Sequence, residues 1–191
     1  MTTASQVNTM QVYQIVIRAT PQQIWDAITQ PEFTRQYFHG ARVNTTAEAG
    51  TSIRYYSPDG DLWGDDKVLE SDPPHRLVVT WRSLWDADLA AEPASRVTWL
   101  IEGQDAGTCL LTVTHDQLDD SPKTADAVSG QGWMFVLSGM KTLLETGAPM
   151  TPGGQRFVRV RRLRGSVLGR DLGLAAWSDS KSKITRISPA G

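Results

Sequence analysis

Apolar and polar residues alternate with a period of two over much of the first two thirds of the chain, and then recur at helical spacing. Residues 11–18 (QVYQIVIR) are rich in β-branched and aromatic side chains and predict a first strand. Directly after it, Thr20 offers an N-cap, Pro21 suits the first helical position, and Gln23 stands where a capping box places it. Ile24, Trp25 and Ile28 give this helix one apolar side. Pro31 stops it before a second short turn that carries Phe33, Tyr37 and Phe38.

From Ala41 onward the pattern changes to short β-type runs, at about 42–46, 52–57, 66–71, 76–84, 96–102 and 109–115. Between them stand Gly50, Pro58-Asp59-Gly60, Pro73-Pro74 and Asp105-Ala106-Gly107, which supply the backbone angles of tight reversals. Consecutive hairpins predict an antiparallel meander. Alternation puts Leu77, Val79 and Trp81 on one face, as it does Val97, Trp99 and Ile101, and Leu111, Val113 and His115. Those faces are expected to line a concave interior. Helical spacing returns over about 124–146, where Trp133, Val136, Leu137, Met140, Leu143 and Leu144 form a broad apolar stripe closed by Gly147 and Pro149. A sheet with one apolar face must cover it, and this helix is the element long and apolar enough to do so. The expected class is α+β, with a curved antiparallel sheet of six to seven strands around a long C-terminal helix, and two short helices after the first strand.

Length and composition narrow this picture. The 191 residues suit one domain with its own core, and 40% hydrophobic with 21% charged residues describe an ordinary globular protein. No run approaches the roughly 20 apolar residues of a membrane span, and residues 1–10 carry no secretory pattern, so a soluble cytoplasmic protein with a flexible start is expected. Cys109 is the single cysteine, which excludes an internal disulfide and a cysteine-rich zinc site. Charge is divided unevenly. Residues 1–150 hold 10 Lys+Arg against 19 Asp+Glu, net −9, whereas residues 151–191 hold 9 against 2, net +7. The domain is therefore expected over 11–148, followed by a basic, poorly ordered tail over 149–191. Gly165, Gly169 and Gly173 interrupt that tail's weak helical stripe.

Four segments resemble a known family: 19–32 (ATPQQIWDAITQPE), 68–81 (VLESDPPHRLVVTW), 107–115 (GTCLLTVTH), and Gly132-Trp133 followed by 143–147 (LLETG). In their order and spacing the chain is similar to the bacterial branch of the family named after the activator of the heat-shock-protein-90 ATPase. That family lies within the START-related superfamily of polyketide cyclases and lipid-transfer proteins. The resemblance implies a helix-grip fold and an internal cavity for an apolar or aromatic small molecule, and it brings no shared catalytic residues. Two departures stand out. Tyr37-Phe38 occupies the place of a Trp-Phe pair, and the arginine-rich extension after Met150 has no counterpart.

No phosphate loop, dinucleotide fingerprint, nucleophile elbow or zinc-protease motif is present, so no cofactor is expected. Residues 59–70 match a calcium-loop template in part, but Trp63 falls where an oxygen ligand belongs and the flanks read as strands, which favours a hairpin turn over a metal site. His115 ends a strand at the expected cavity rim as a candidate proton carrier or polar anchor, against the plainer reading of a hydrogen-bonded core histidine. Cys109 reads as a packed, inert thiol, and His39 and His75 as exposed loop residues. The candidate ligand-binding set is Phe38, Tyr55, Trp81, Trp99, His115, Trp133, Leu137 and Met140, aromatic and apolar walls with a few polar points. Arg156, Arg159, Arg161, Arg162 and Arg164 are candidates for weak polyanion contact. Three functions are expected in order: carriage of a small apolar ligand; a co-chaperone-like interaction with a heat-shock-protein-90 homologue; and a cyclase or dehydratase using His115 with Asp116 or Tyr55.

Overall fold

Thr20 closes the first strand and opens the first helix in one step. Its hydroxyl accepts from the Gln23 N–H while the Gln23 side chain accepts from the Thr20 N–H, the expected capping box. Strand β1 (Gln11–Ile17) precedes it; helices α1 (Pro21–Thr29) and α2 (Pro31–Tyr37) follow, each with proline in its first turn. The computed structural model describes residues 9–151, so the expected basic tail from residue 152 on, with its arginine cluster, and the start up to residue 8 lie outside the described residues.

The meander comprises β2 (Arg42–Thr45), β3 (Ser52–Tyr56), β4 (Leu62–Asp72), β5 (Arg76–Trp81), β6 (Ser95–Gln104) and β7 (Thr108–Asp116). Every neighbouring pair is antiparallel, in the order β1-β7-β6-β5-β4-β3-β2. The two short helices carry the chain from one edge of this curved sheet to the other, so that β2 starts the far edge and β7 returns to pair with β1. Gly60, at φ +98, turns the β3–β4 hairpin where the calcium-loop lookalike begins, and no cluster of metal-ligating side chains occurs among the described residues.

Two expected boundaries shift. Strand β4 starts at Leu62 rather than at residue 66, because Tyr55 pairs with Gly64 and Tyr56 with Leu62, leaving Trp63 as the extra residue of a bulge. The long helix expected over 124–146 is two: α4 (Pro122–Val128) and α5 (Gln131–Thr146). Gly130 separates them at φ 57, ψ −112, a backbone shape that a side chain disfavours strongly. A one-turn helix, α3 (Ala87–Ala90), was not expected; the Asp86 carboxylate caps it by accepting from the Asp88 and Leu89 N–H groups.

Helix α5 covers the hollow side of the sheet as expected. Trp133, Val136, Leu137, Met140 and Leu143 are buried in one core with Leu77, Val79, Val97, Trp99, Ile101, Leu111 and Val113 from the strands. Trp133 and Trp99 meet edge to face with ring centroids 5.3 Å apart. At the other end Gly147, in the left-handed region at φ 74, donates to the Leu143 carbonyl and ends the helix.

The break between α4 and α5 is testable. A Cβ at position 130 would meet no atom within 4 Å, so Gly130→Ala changes backbone strain alone. It should cost about 1–2 kcal/mol, read as a lower urea midpoint at unchanged slope.

Candidate functional site

Helix α5 does not fill the hollow completely. At the α4–α5 end a cavity of about 60 Å³ lies between the helices and strands β3, β4 and β5. Its buried wall comprises Ala41, Tyr55, Gly64, Asp66, Trp81, Val128, Trp133 and Val136, and Phe38, His39, Trp63 and Trp85 stand half-buried around it. Arg82 and Ala127 are exposed at its mouth. The bulge at Trp63 has a direct consequence here: both Trp63 and Gly64 line the cavity, which two successive residues of a regular strand would not do. Gly64 itself keeps space open. A Cβ there would come within 3.2 Å of the Tyr55 ring and 3.3 Å of Asp66 Oδ2.

Of the sequence-derived candidates, the structure brings four together on this cavity: Phe38, Tyr55, Trp81 and Trp133. Their rings pack on one another, with Phe38 5.5 Å from Tyr55 and 6.0 Å from Trp81, and Trp81 5.7 Å from Trp133. The other four, Trp99, His115, Leu137 and Met140, do not line it. They belong to the packed core beneath, where alternation and helix spacing alone give them the same faces as the lining residues.

His115 is fully buried, not at a rim. The indole N–H of Trp133 donates to its Nδ1 at 3.1 Å, and its Nε2 lies 2.7 Å from Ser95 Oγ. An indole can only donate, so Nδ1 is unprotonated and the proton sits on Nε2, which donates to Ser95. The Ser95 hydroxyl in turn donates to the Trp81 carbonyl at 3.2 Å. A second proton on the ring would set two donors against each other. Burial, which outweighs the neighbouring Asp116 charge, holds the imidazole pKa down at about 4. The expected acid–base pair with Asp116 is not assembled, because Asp116 accepts both hydrogen bonds of a fork from Arg96, at 2.9 and 2.6 Å.

His39, expected to be exposed, is half-buried on the cavity wall and lies parallel to the Phe135 ring with centroids 6.3 Å apart. Burial lowers its pKa. Cys109 is buried and its thiol donates to the Ala19 carbonyl, the packed role expected of it.

The charged group on the cavity wall that sequence reading missed is Asp66, 5% exposed. Its Oδ1 accepts from the Thr80 hydroxyl at 3.0 Å, whereas its Oδ2 is buried without a hydrogen-bond partner. Burial raises this carboxyl to about pKa 7, against the smaller opposing pull of Thr80 and of the Arg82 backbone and guanidinium. The signal for it was available in the alternation: Asp66 shares the inward phase of β4 with Gly64 and Val68.

These two buried groups titrate in opposite senses. Folded Asp66 keeps its proton up to about pH 7, well above the ordinary 3.8, so its contribution is present at low pH and lost as pH rises through 7. Folded His115 stays neutral down to about pH 4, below the ordinary 6.5, so its contribution is present at high pH and lost as pH falls through 4. Between these limits the slopes cancel. Asp66→Asn should unmask the histidine, making stability fall toward acid more steeply than in the unaltered protein by about 1.4 kcal/mol per pH unit. His115→Gln should tilt it the other way by a similar amount. Urea denaturation across a pH series reads both, and curves of equal slope would refute the assignment.

The family is shown by a match to a family profile, and the fold by likeness to solved structures. The profile described as activator of Hsp90 ATPase homolog 1-like protein matches residues 18–145. No curated protein matches by sequence. Among solved structures, protein MLL2253 from Mesorhizobium loti is 21% identical with a TM-score of 0.60, over 72% of this chain and 97% of its own. The Aha1 dimer from Colwellia psychrerythraea is 17% identical with a TM-score of 0.57, over 73% and 98%. DynU16, a putative protein in the dynemicin biosynthetic locus, is 26% identical with a TM-score of 0.59, over 73% of this chain and 48% of its own. With a seven-stranded antiparallel sheet gripping α5 and a profile match over 18–145, this chain belongs to the family of activator of Hsp90 ATPase homolog 1-like proteins.

Proposed function

We propose that this protein binds a small apolar or aromatic molecule in the cavity between α5 and strands β3 to β5, without itself supplying an acid–base pair. The observation that carries this reading is a gap left in an otherwise close-packed core, walled by Phe38, Tyr55, Trp81 and Trp133 and open at one side. Native cores leave few voids larger than a water molecule. Here Gly64 and the bulge at Trp63 hold the walls apart instead.

Size limits the ligand. At about 10–15 Å³ for each water-sized position, a cavity of 60 Å³ admits a group of a few heavy atoms, with the remainder of a ligand extending through the mouth beside Trp63, Trp85 and Arg82. The ligand class supported is thus one ring with a short substituent rather than a long acyl chain. Titration with toluene, p-cresol and naphthalene, followed by tryptophan fluorescence, should show saturable binding of the single-ring compounds and weaker binding of naphthalene. A silent panel would count against the reading.

The family match also supports a second reading, interaction with a heat-shock-protein-90 homologue as its description implies. Its test is the ATPase rate of such a homologue with and without this chain. Stimulation that survives Val136→Phe, which fills the cavity, would place the interaction outside the ligand site.

A further inference from the structure

We infer that the cavity selects a protonated amine, with its ammonium N–H on Asp66 Oδ2 and its apolar part on the surrounding rings. This rests on the cavity being a ligand site, and names the chemistry such a ligand must carry. Asp66 is 5% exposed and yet leaves one carboxylate oxygen without a hydrogen-bond partner, in a predominantly apolar and aromatic wall. Buried polar atoms are ordinarily satisfied, and leaving one bare costs about 1–3 kcal/mol. Gly64, which also lines the cavity, leaves space beside this oxygen: a Cβ at position 64 would stand 3.3 Å from Oδ2.

The groups around Asp66 leave Oδ2 without a donor in hydrogen-bonding geometry; the Arg82 backbone N–H is near enough to favour the charged carboxylate but does not complete a bond to this oxygen. Thr80 from β5 is spent on Oδ1, and the Thr80 hydroxyl itself accepts from the Lys67 N–H. Arg82, the cation nearest the cavity, is exposed at the mouth and forms no ion pair with Asp66. Asp65 lies on the opposite face of β4, bound to Arg54. Tyr55 from β3 is held neutral by burial, and burial likewise disfavours a charged His39. Helix α5 contributes only Trp133, Val136 and Gly132 to the wall. A ligand ammonium would meet an unshared carboxylate and several aromatic rings, a combination that favours a cation twice over, by charge-assisted hydrogen bonding and by the ring quadrupoles. The surplus of acid over base in residues 1–150, net −9, draws cations toward this domain and anions away from it.

Benzylamine and benzyl alcohol separate the possibilities, because they are alike in shape and each can donate a hydrogen bond, whereas only the amine carries a charge. With the full chain at about pH 8, where Asp66 is ionised and the amine still protonated, calorimetry should give benzylamine an affinity about tenfold above that of benzyl alcohol. In Asp66→Asn, which retains the oxygen facing Thr80, the preference should fall to about twofold or less. Equal affinities in the unaltered chain would overturn the amine inference and leave the cavity as a neutral site. A tenfold preference that persists in Asp66→Asn would overturn the role of this carboxyl. Binding of neither compound, nor of toluene, would overturn both this inference and the reading it rests on.

Discussion

The height and rotation of α5 over the sheet are fixed by one hydrogen-bonded relay, from the Trp133 indole through the His115 imidazole and the Ser95 hydroxyl to the Trp81 carbonyl. Four elements enter it: α5, β7, β6 and β5. Close packing already resists sliding of a helix across a sheet, and a buried polar relay, satisfied at one setting only, adds a directional constraint. Because the indole can only donate and the carbonyl only accept, with His115 and Ser95 each accepting once and donating once between them, the relay also dictates the imidazole tautomer. With α5 held there, Trp133 meets Trp99 at one side and Trp81 at the other, and the gap that remains on the β3–β4 side is the cavity.

Two buried titratable groups therefore sit within this one region and are handled in opposite ways. His115 has both ring nitrogens engaged by neutral partners, so burial excludes its charged form and removes it from proton chemistry near neutrality. Asp66 has one oxygen engaged and one bare, so its protonation state stays responsive to whatever enters. A satisfied group fixes structure, and an unsatisfied one at a cavity wall is available to a ligand. That contrast, more than burial itself, separates the structural histidine from the candidate recognition carboxyl.

Membership of the family establishes the fold and leaves the chemistry to the cavity wall, because one scaffold carries many functions. The structural neighbours, at identities from 17 to 26%, share the sheet and the gripping helix with this chain. The chemistry of its opening is set by a few positions: Gly64, Asp66 and the bulged Trp63 on β4, with Trp85 and Arg82 just beyond β5. Among the described residues no helix is long and apolar enough to cross a membrane.

Much of the fold was legible in the sequence because it is written in local terms. The capping box at Thr20, the hairpin residues between runs, the inward phase of Trp81, Trp99 and Leu111, and the stripe from Trp133 to Leu143 each need only their neighbours along the chain. Phe38, Tyr55, Trp81 and Trp133 could be proposed as pocket residues for the same reason. Periodicity assigns a side chain to a face, however, and not to a depth along that face. It gave Trp99, Leu137 and Met140 the same standing as Trp133, and only the docking of α5 against the strands decided which of them fill the core and which border a void. The bulge at Trp63, the helix break at Gly130, the two-sided engagement of His115 and the bare oxygen of Asp66 were likewise settled by tertiary structure. Each depends on partners distant in sequence, and whether a polar atom finds one is a property of the packed whole.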